Sequence, residues 1–299
     1  MSSLPGGLRA APLAPADRAQ IAAVWRACEE HDDGRADFSE SDVVAIFGRP
    51  SLEPERDSVG VRDGDALVAF GLQLGHRITF VHVLPAYRGR GLGTWLMRWS
   101  QDAARAIGAQ VTAQEISDGE RGAIALLTGD GYTRRWDSWA FEIELDEEPV
   151  APLVAPGYAI RGFVTGQDER AAHAVIQTAF GEWPEHDPTP FDDWSAMVFG
   201  HPDFEPELLG LAVRGDDVVG AVLVIEDGEQ GWIDQLAVAR DHRGKGLGMA
   251  LLMHAFGLTW RRGRRVCGLG TDSRTGARGL YERVGMRVRK TFGEYAKEL

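Results

Sequence analysis

The stretch LAVARDHRGKGLGMALL, Leu236–Leu252, carries an apolar strand pattern into a basic, glycine-rich turn and then into a helical pattern. A near copy, AYRGRGLGTWLM, occupies Ala86–Met97. Glycine lets the backbone approach a ligand closely. The N–H groups at a helix start lack intrahelical acceptors and favour an anion. Arg243 and Lys245, or Arg88 and Arg90, add positive charge beside them. Together these features suit a pyrophosphate. The dinucleotide spacing G-x-G-x-x-G is absent from the turn, and so is the Gly-Lys-Ser/Thr of a P-loop. A tight turn with solvated basic side chains and a coenzyme A pyrophosphate site both remain open.

The two turns belong to a longer repeat. Arg88 and Arg243 are separated by 155 positions, Gly131 and Gly285 by 154, and FEIEL (Phe141–Leu145) and YAKEL (Tyr295–Leu299) again by 154. A nearly constant offset at three landmarks indicates a duplicated domain. DEEPVAPLVAPG, Asp146–Gly157, has linker composition. The expected division is residues 1–146, a linker at 147–157, and residues 158–299. In the second half YAIRGF reads as a strand and DERAAHAVIQTAF as a helix. PTPFDDWSAMVFG predicts a short helix opened by Pro190. A three-strand meander with turns at RGDD and EDGEQG follows. Next come the glycine turn, a helix to about Arg262, the strand RVCGLGT, the helix ARGLYERV and closing strands. The first half gives the same order. The fold class is α/β: two tandem domains, each a mixed, mostly antiparallel sheet flanked by helices.

Composition narrows the function. A chain of 299 residues accommodates two domains of about 150 residues, each able to bury a core. A net charge of −13 argues against nucleic acid and anionic membrane partners, which need a basic surface. Cys28 and Cys267 form neither a metal motif nor a disulfide framework. His186 and His201 lack HExxH-type spacing, so no metal is expected. No apolar h-region opens the chain and no apolar run reaches the ~18 residues of a membrane span. A cytoplasmic location is expected.

The run LAVARDHRGKGLGMALL, followed by ARGLYERVGM, resembles the GCN5-related N-acetyltransferase (GNAT) family. The likeness covers nearly the whole chain, twice, in an arrangement similar to mycothiol synthase-like tandem acetyltransferases. It implies acetyl-CoA as co-substrate and direct transfer to an amine without an acyl-enzyme. It places the cofactor against Leu236, Ala237, Val238, Arg243, Gly244, Lys245, Gly246, Leu247 and Gly248, and in the first half against Val83, Arg88, Gly89, Arg90, Gly91 and Gly93. It also makes Tyr281 the general acid at the departing sulfur, and places an oxyanion-binding N–H near Val238 at a strand bulge.

Acetyl transfer also needs a base for the amine. By the period of two, Trp232, Asp234, Leu236 and Val238 share one face. Asp234 among apolar neighbours suits the base, a paired or solvated aspartate being the other reading. The matching first-half positions are Leu127 and Thr79, which supply neither acid nor base. The second half is therefore expected to be catalytic and the first degenerate, and either a monomer or a homodimer fits.

The loop FGEWPEHDPTPFDDWSAMVFGHPDFEPE places Glu182, Glu185, Asp187, Asp192, Asp193, Asp203, Glu205 and Glu207 among Trp183, Phe191 and Trp194. Acid with aromatic suits a small cationic amine, while a solvated surface loop is the plainer reading. A cysteinyl amino-sugar acceptor is an alternative, weakened by Arg274, three before Ala277, where many relatives of the family place asparagine. A non-catalytic acyl-CoA-binding protein is the alternative from another class.

Overall fold

The computed structural model describes residues 4–151, 153–228 and 230–299. The chain divides into two compact units, 1–138 with 290–299, and 139–289. Unit 1 contains β1 (Arg9–Ala11), α1 (Arg18–Asp33), α2 (Glu40–Phe47), α3 (Pro54–Asp57), β2 (Ser58–Asp63), β3 (Ala66–Leu74), β4 (Ile78–Val83), α4 (Leu92–Ala106), β5 (Val111–Ser117), α5 (Arg121–Gly129) and the start of β6 (Thr133–Glu144). Unit 2 takes the rest of β6, then β7 (Ala159–Gly162), α6 (Glu169–Phe180), α7 (Phe191–Phe199), β8 (Leu209–Arg214), β9 (Asp217–Asp227), β10 (Gln230–Val238), α8 (Leu247–Arg261), β11 (Val266–Asp272), α9 (Arg278–Arg283) and the start of β12 (Arg287–Glu298).

In unit 1 the strands run β1-β2-β3-β4-β5-β12, antiparallel except for the parallel β4–β5 pair. In unit 2 they run β7-β8-β9-β10-β11-β6, with β10–β11 parallel. The final strand of each repeat thus completes the sheet of the other repeat's unit. The division read from sequence assigned β6 and β12 to their own repeats. FEIEL and YAKEL carry equivalent strand patterns, and a strand pattern does not say which sheet edge it joins. Residues 147–157, read as the joint, lie inside the 139–289 unit.

Helices cover both faces of each sheet. In unit 1, Trp25 of α1 stacks on Phe38 at 3.6 Å and meets Phe70 of β3. On the opposite face Trp95, Leu96 and Trp99 of α4 pack on Val59, Val61 and Val68. Trp99 lies flat where Gly71 leaves room, since a Cβ there would stand 2.4 Å from its ring. In unit 2, α8 buries Leu247, Leu251, Leu252, Ala255 and Phe256 against Val222, Val224 and Ile233, and α6 with α7 covers the other face. Pro190 is the N-cap of α7, as the sequence indicates.

Candidate active site

The parallel pair β10–β11 is short. Its register runs from Gln230–Val266 to Ile233–Leu269 and stops, although β10 continues to Val238 and β11 to Asp272. Beyond Ile233 the two strands diverge, and the backbone groups of β10 that face away from β9 meet no strand. A bulge falls at the same place, because the β10–β9 register shifts between Ile233 and Gln235 and leaves Asp234 without a counterpart. A bulge of one residue reverses the face of every residue after it. Ile233, Leu236 and Val238 accordingly pack toward α8, while Ala237 joins the α6 side.

This corrects the alternation read from sequence. Trp232 does not share a face with Leu236 and Val238, and Asp234 is exposed rather than enclosed by apolar neighbours. The bulge also lies at Asp234, four residues earlier than Val238. Gln235 ties the bulge down by donating to Asp234 Oδ2 at 3.0 Å and accepting from Trp194 Nε1 at 2.9 Å.

The glycine turn lies at the open end of this divergence. Gly244 and Gly246 take positive φ of 72° and 79°, and Gly246 caps α8. Nothing stands within 4 Å of where a Cβ would be on either, so the turn is open to a ligand. The first helical bond runs from Ala250 N–H to Gly246 C=O, which leaves the N–H groups of Leu247, Gly248 and Met249 without helical acceptors. Arg243, expected beside a phosphate, is engaged otherwise. Its Nε donates to Val238 C=O at 2.9 Å and its Nη1 reaches Glu182 Oε2 at 2.8 Å. Lys245 Nζ donates to Asp241 C=O at 2.6 Å. The guanidinium therefore braces the turn against the strand end and the loop after α6, and the anion-binding groups are chiefly backbone N–H.

Tyr281 is buried, its ring 5.6 Å from Phe141 and its hydroxyl hydrogen-bonded to Thr271 of β11. Burial pushes its phenol up to about 12. Thr271 lies two residues past the last β10–β11 pair and Asp234 one residue past it. The structure thus brings Asp234 and the Tyr281–Thr271 pair to the two sides of one divergence. Leu280 of α9 meets Gly248 of α8, where a Cβ would approach it to 3.4 Å, which fixes α9 beside the turn.

The acidic loop is largely committed to internal contacts. Glu182 pairs with Arg243 and Arg240, Glu205 with Arg262, and Asp193 is buried. Arg274 pairs with Asp272 through Nη2 at 2.7 Å and donates to Pro184 C=O at 3.3 Å, tying the loop to the end of β11. Trp183 stacks on Phe180 at 4.3 Å, and burial lowers the His186 imidazole.

Unit 1 repeats the plan with substitutions. The β4–β5 register holds only Ile78–Ala113 before the strands part. No shift interrupts β4–β3, so the unit 2 bulge has no counterpart here. Gly89 and Gly91 take φ of 73° and 88°. Arg88 donates to Val83 C=O at 3.0 Å and grips Asp32 with both Nη atoms at 2.6 Å. A cavity of about 560 Å³ lies here, lined by residues of β4, the turn, α4, β5 and α5. Leu127, at the position matching Tyr281, is buried and lines it.

Sequence reasoning did not single out Thr271, Asp32 or Glu120, and it read Glu182 as a loop acid suited to a cationic acceptor rather than as the partner of Arg243. Asp32 and Glu182 could have been sought as counter-charges to the two turn arginines. Glu120 carried no local signal. Among the described residues no group of three or more His, Cys, Asp or Glu could hold a metal ion, and no helix is long and apolar enough to cross a membrane.

The Acetyltransferase (GNAT) family matches residues 20–132 and again 169–286. A mycothiol acetyltransferase of Kineococcus radiotolerans is 31% identical over 85% of this chain and 84% of its own length. One from Cellulomonas flavigena is 33% identical over 61% of this chain and 55% of its own length. The crystal structure of a GCN5-related N-acetyltransferase from Sphaerobacter thermophilus, 34% identical, covers 99% of this chain with a TM-score of 0.78, and 97% of that chain is covered in turn. A tandem GNAT protein from the clavulanic acid biosynthesis pathway shares the fold at a TM-score of 0.73 and 18% identity, with 97% and 98% of the two chains covered. Two diverging pairs of parallel strands, one strand of each running into a glycine turn that opens a helix, and two family matches along one chain make this protein a tandem acyltransferase of the GNAT family.

Proposed function

We propose that unit 2 transfers acetyl from acetyl-CoA to the primary amine of a small molecule by direct attack. The observation that carries this reading is the divergence of β10 from β11, with Asp234 on one strand and Thr271, holding Tyr281, on the other. The open turn and the free N–H groups of α8 fit a pyrophosphate. When bound, acetyl-CoA supplies the thioester carbonyl that the amine attacks.

Asp234, exposed on its bulge, takes the amine proton through water. Backbone N–H groups on the unpaired edge of β10 face the developing oxyanion. Tyr281 is the acid at the departing sulfur, its hydroxyl donating a hydrogen bond as charge develops there, and the released thiolate takes up its proton from solvent. Neither cysteine serves as a nucleophile, because burial pushes their thiols up to about 11 at Cys28 and about 12 at Cys267.

The acceptor reading shifts with the loop. Glu182 and Glu205 are matched by arginines, so a cation clamp built on loop charge has less support. The curated relatives named as mycothiol acetyltransferases favour a second reading, a cysteinyl amino-sugar. The test is release of coenzyme A from acetyl-CoA against aminoglycosides, polyamines, amino sugars, cysteinyl amino-sugars and short peptides. Turnover confined to cysteinyl amino-sugars selects the second reading. Turnover with polycations selects the first, and none with any amine overturns both.

A further inference from the structure

Unit 1 lacks counterparts of Asp234 and Tyr281, yet it keeps the diverging strands, the left-handed glycine turn and a cavity between them. Val81 and Val83 of β4, Met97 of α4 and Ile116 of β5 form an apolar wall suited to a pantetheine arm. The titratable groups on its lining are Asp32, His82, Arg88, Glu120 and Arg121.

Most of these are committed elsewhere. Asp32 is locked in its two-pronged pair with Arg88. His82 lies tilted against Trp25 with ring centroids 4.3 Å apart, and burial lowers its imidazole to about 3, so it stays neutral. Arginines hold their protons. Glu120 remains, at the N-cap of α5, its Oε1 accepting from Ser117 N–H at 3.3 Å.

We propose that unit 1 is a second acyl-transfer centre, in which Glu120 is the general base for a primary amine attacking an acyl-CoA thioester. The Glu120 carboxylate takes a proton from the ammonium. The nitrogen then forms its bond to the thioester carbonyl carbon as the carbon–sulfur bond breaks. Glu120 returns its proton to the departing thiolate, and the second amine proton passes to solvent. The products are an amide and the free thiol. Burial, with Asp32 adding to it, pushes the Glu120 carboxyl up to about 7. The charged or titratable groups around it are Cys28, Asp32 and Asp33 of α1, Arg88 of the turn, Arg121 of α5, His82 of β4 and Lys290 of β12, which pairs with Asp33 at 2.6 Å. Glu120 occupies the position that Arg274 holds in unit 2, by the repeat offset of 154. The two centres would therefore differ in the charge they present to the acceptor.

The inference rests on acyl-CoA as donor and not on which residues act in unit 2. The experiment uses the full-length chain in a Tyr281→Phe background that also carries Asp234→Ala, so that both proposed proton-transfer groups of unit 2 are removed. Coenzyme A release is followed with a panel of primary amines from pH 5.5 to 9. The expected result is a residual rate that rises with pH through a midpoint near 7, and falls at least tenfold when Glu120→Gln is added. Equilibrium dialysis with coenzyme A should find two sites per chain, reduced to one by Gly93→Trp, whose side chain fills the unit 1 cavity. A residual rate indifferent to Glu120→Gln overturns the proposal, as does no residual rate in the double variant alone. Full activity in the double variant that is lost on adding Glu120→Gln supports the proposal and instead removes the assignment of unit 2 chemistry.

Discussion

Replacing Tyr281 by Phe removes one hydroxyl from a buried ring. Two costs have to be separated. The stability cost is one hydrogen bond to Thr271, about 1 kcal/mol, and Thr271 keeps its contact with Thr275 Oγ1 at 2.9 Å. The ring's packing on Phe141 is untouched, so the variant should fold. The kinetic cost follows from the phenol's position. At about 12 it lies some 3–4 units above a thiol of about 8.5, so complete proton transfer to a thiolate is uphill by about 5 kcal/mol. Tyr281 therefore acts mainly by holding a hydrogen bond to the sulfur as charge develops there. A hydrogen bond to a charged group contributes about 1.5–3 kcal/mol, or roughly 10- to 150-fold. The expected result is a fall in kcat of about 10²-fold, KM for acetyl-CoA changed less than threefold, and a melting temperature within a few degrees of wild type. Stopped-flow release of coenzyme A with saturating acceptor, alongside thermal denaturation, measures all three. Because the phenol stays protonated, no alkaline limb from Tyr281 should enter the profile below about pH 10. A kcat within threefold of wild type, or an alkaline limb near pH 9 that vanishes in the variant, would refute the reasoning.

Arg243→Lys keeps the charge but loses the planar fork that spans Val238 C=O and Glu182. KM for acetyl-CoA should rise about tenfold with kcat nearly constant, as steady-state kinetics will show. Gly71→Ala places a methyl against the Trp99 ring and should cost about 1–3 kcal/mol in urea denaturation, with Gly64→Ala no guide to it, since Gly64 has open space and a φ of +58°. Asp168 is held below the usual carboxylate range by its pair with Arg161, helped by Val164 N–H. Its stabilisation is thus full above about pH 4 and lost as pH falls through its folded value. Asp168→Asn should be less stable than wild type at pH 7, and the gap should close as the medium is taken toward pH 2; a gap constant across that range would disprove the assignment.

Much of this protein is legible from one strand–turn–helix motif, because glycine spacing, strand alternation and helical periodicity are local signals. YAIRGF, DERAAHAVIQTAF and ARGLYERV all fold as their patterns indicate, within a residue or two. The misreading at Asp234 has a single cause. A bulge inserts one residue without any sequence mark, and the period of two then assigns every later residue to the wrong face. The braced arginines were hidden for a different reason. Glu182 and Asp32 lie 61 and 56 positions from their partners, and pairing at that range is set by the tertiary fold. Glu120 escaped notice because it belongs to no local motif. Only the cavity behind it gives it chemistry.

The exchanged final strands have a consequence for how the chain reaches this state. Residues 290–299 complete the sheet of unit 1, yet they are synthesised about 150 residues after Ser138. At roughly 5–20 residues per second, β5 waits on the order of 10–30 s as an open edge beside a nascent β6. An unpaired edge is a template for whatever strand arrives first. β6 carries the same alternation as β12 and is already present, so pairing within the first repeat is the kinetic competitor of the native arrangement. The duplication that gave this enzyme two similar halves also gave it a competitor for one sheet edge, a competition settled only once the second repeat's final strand has been synthesised.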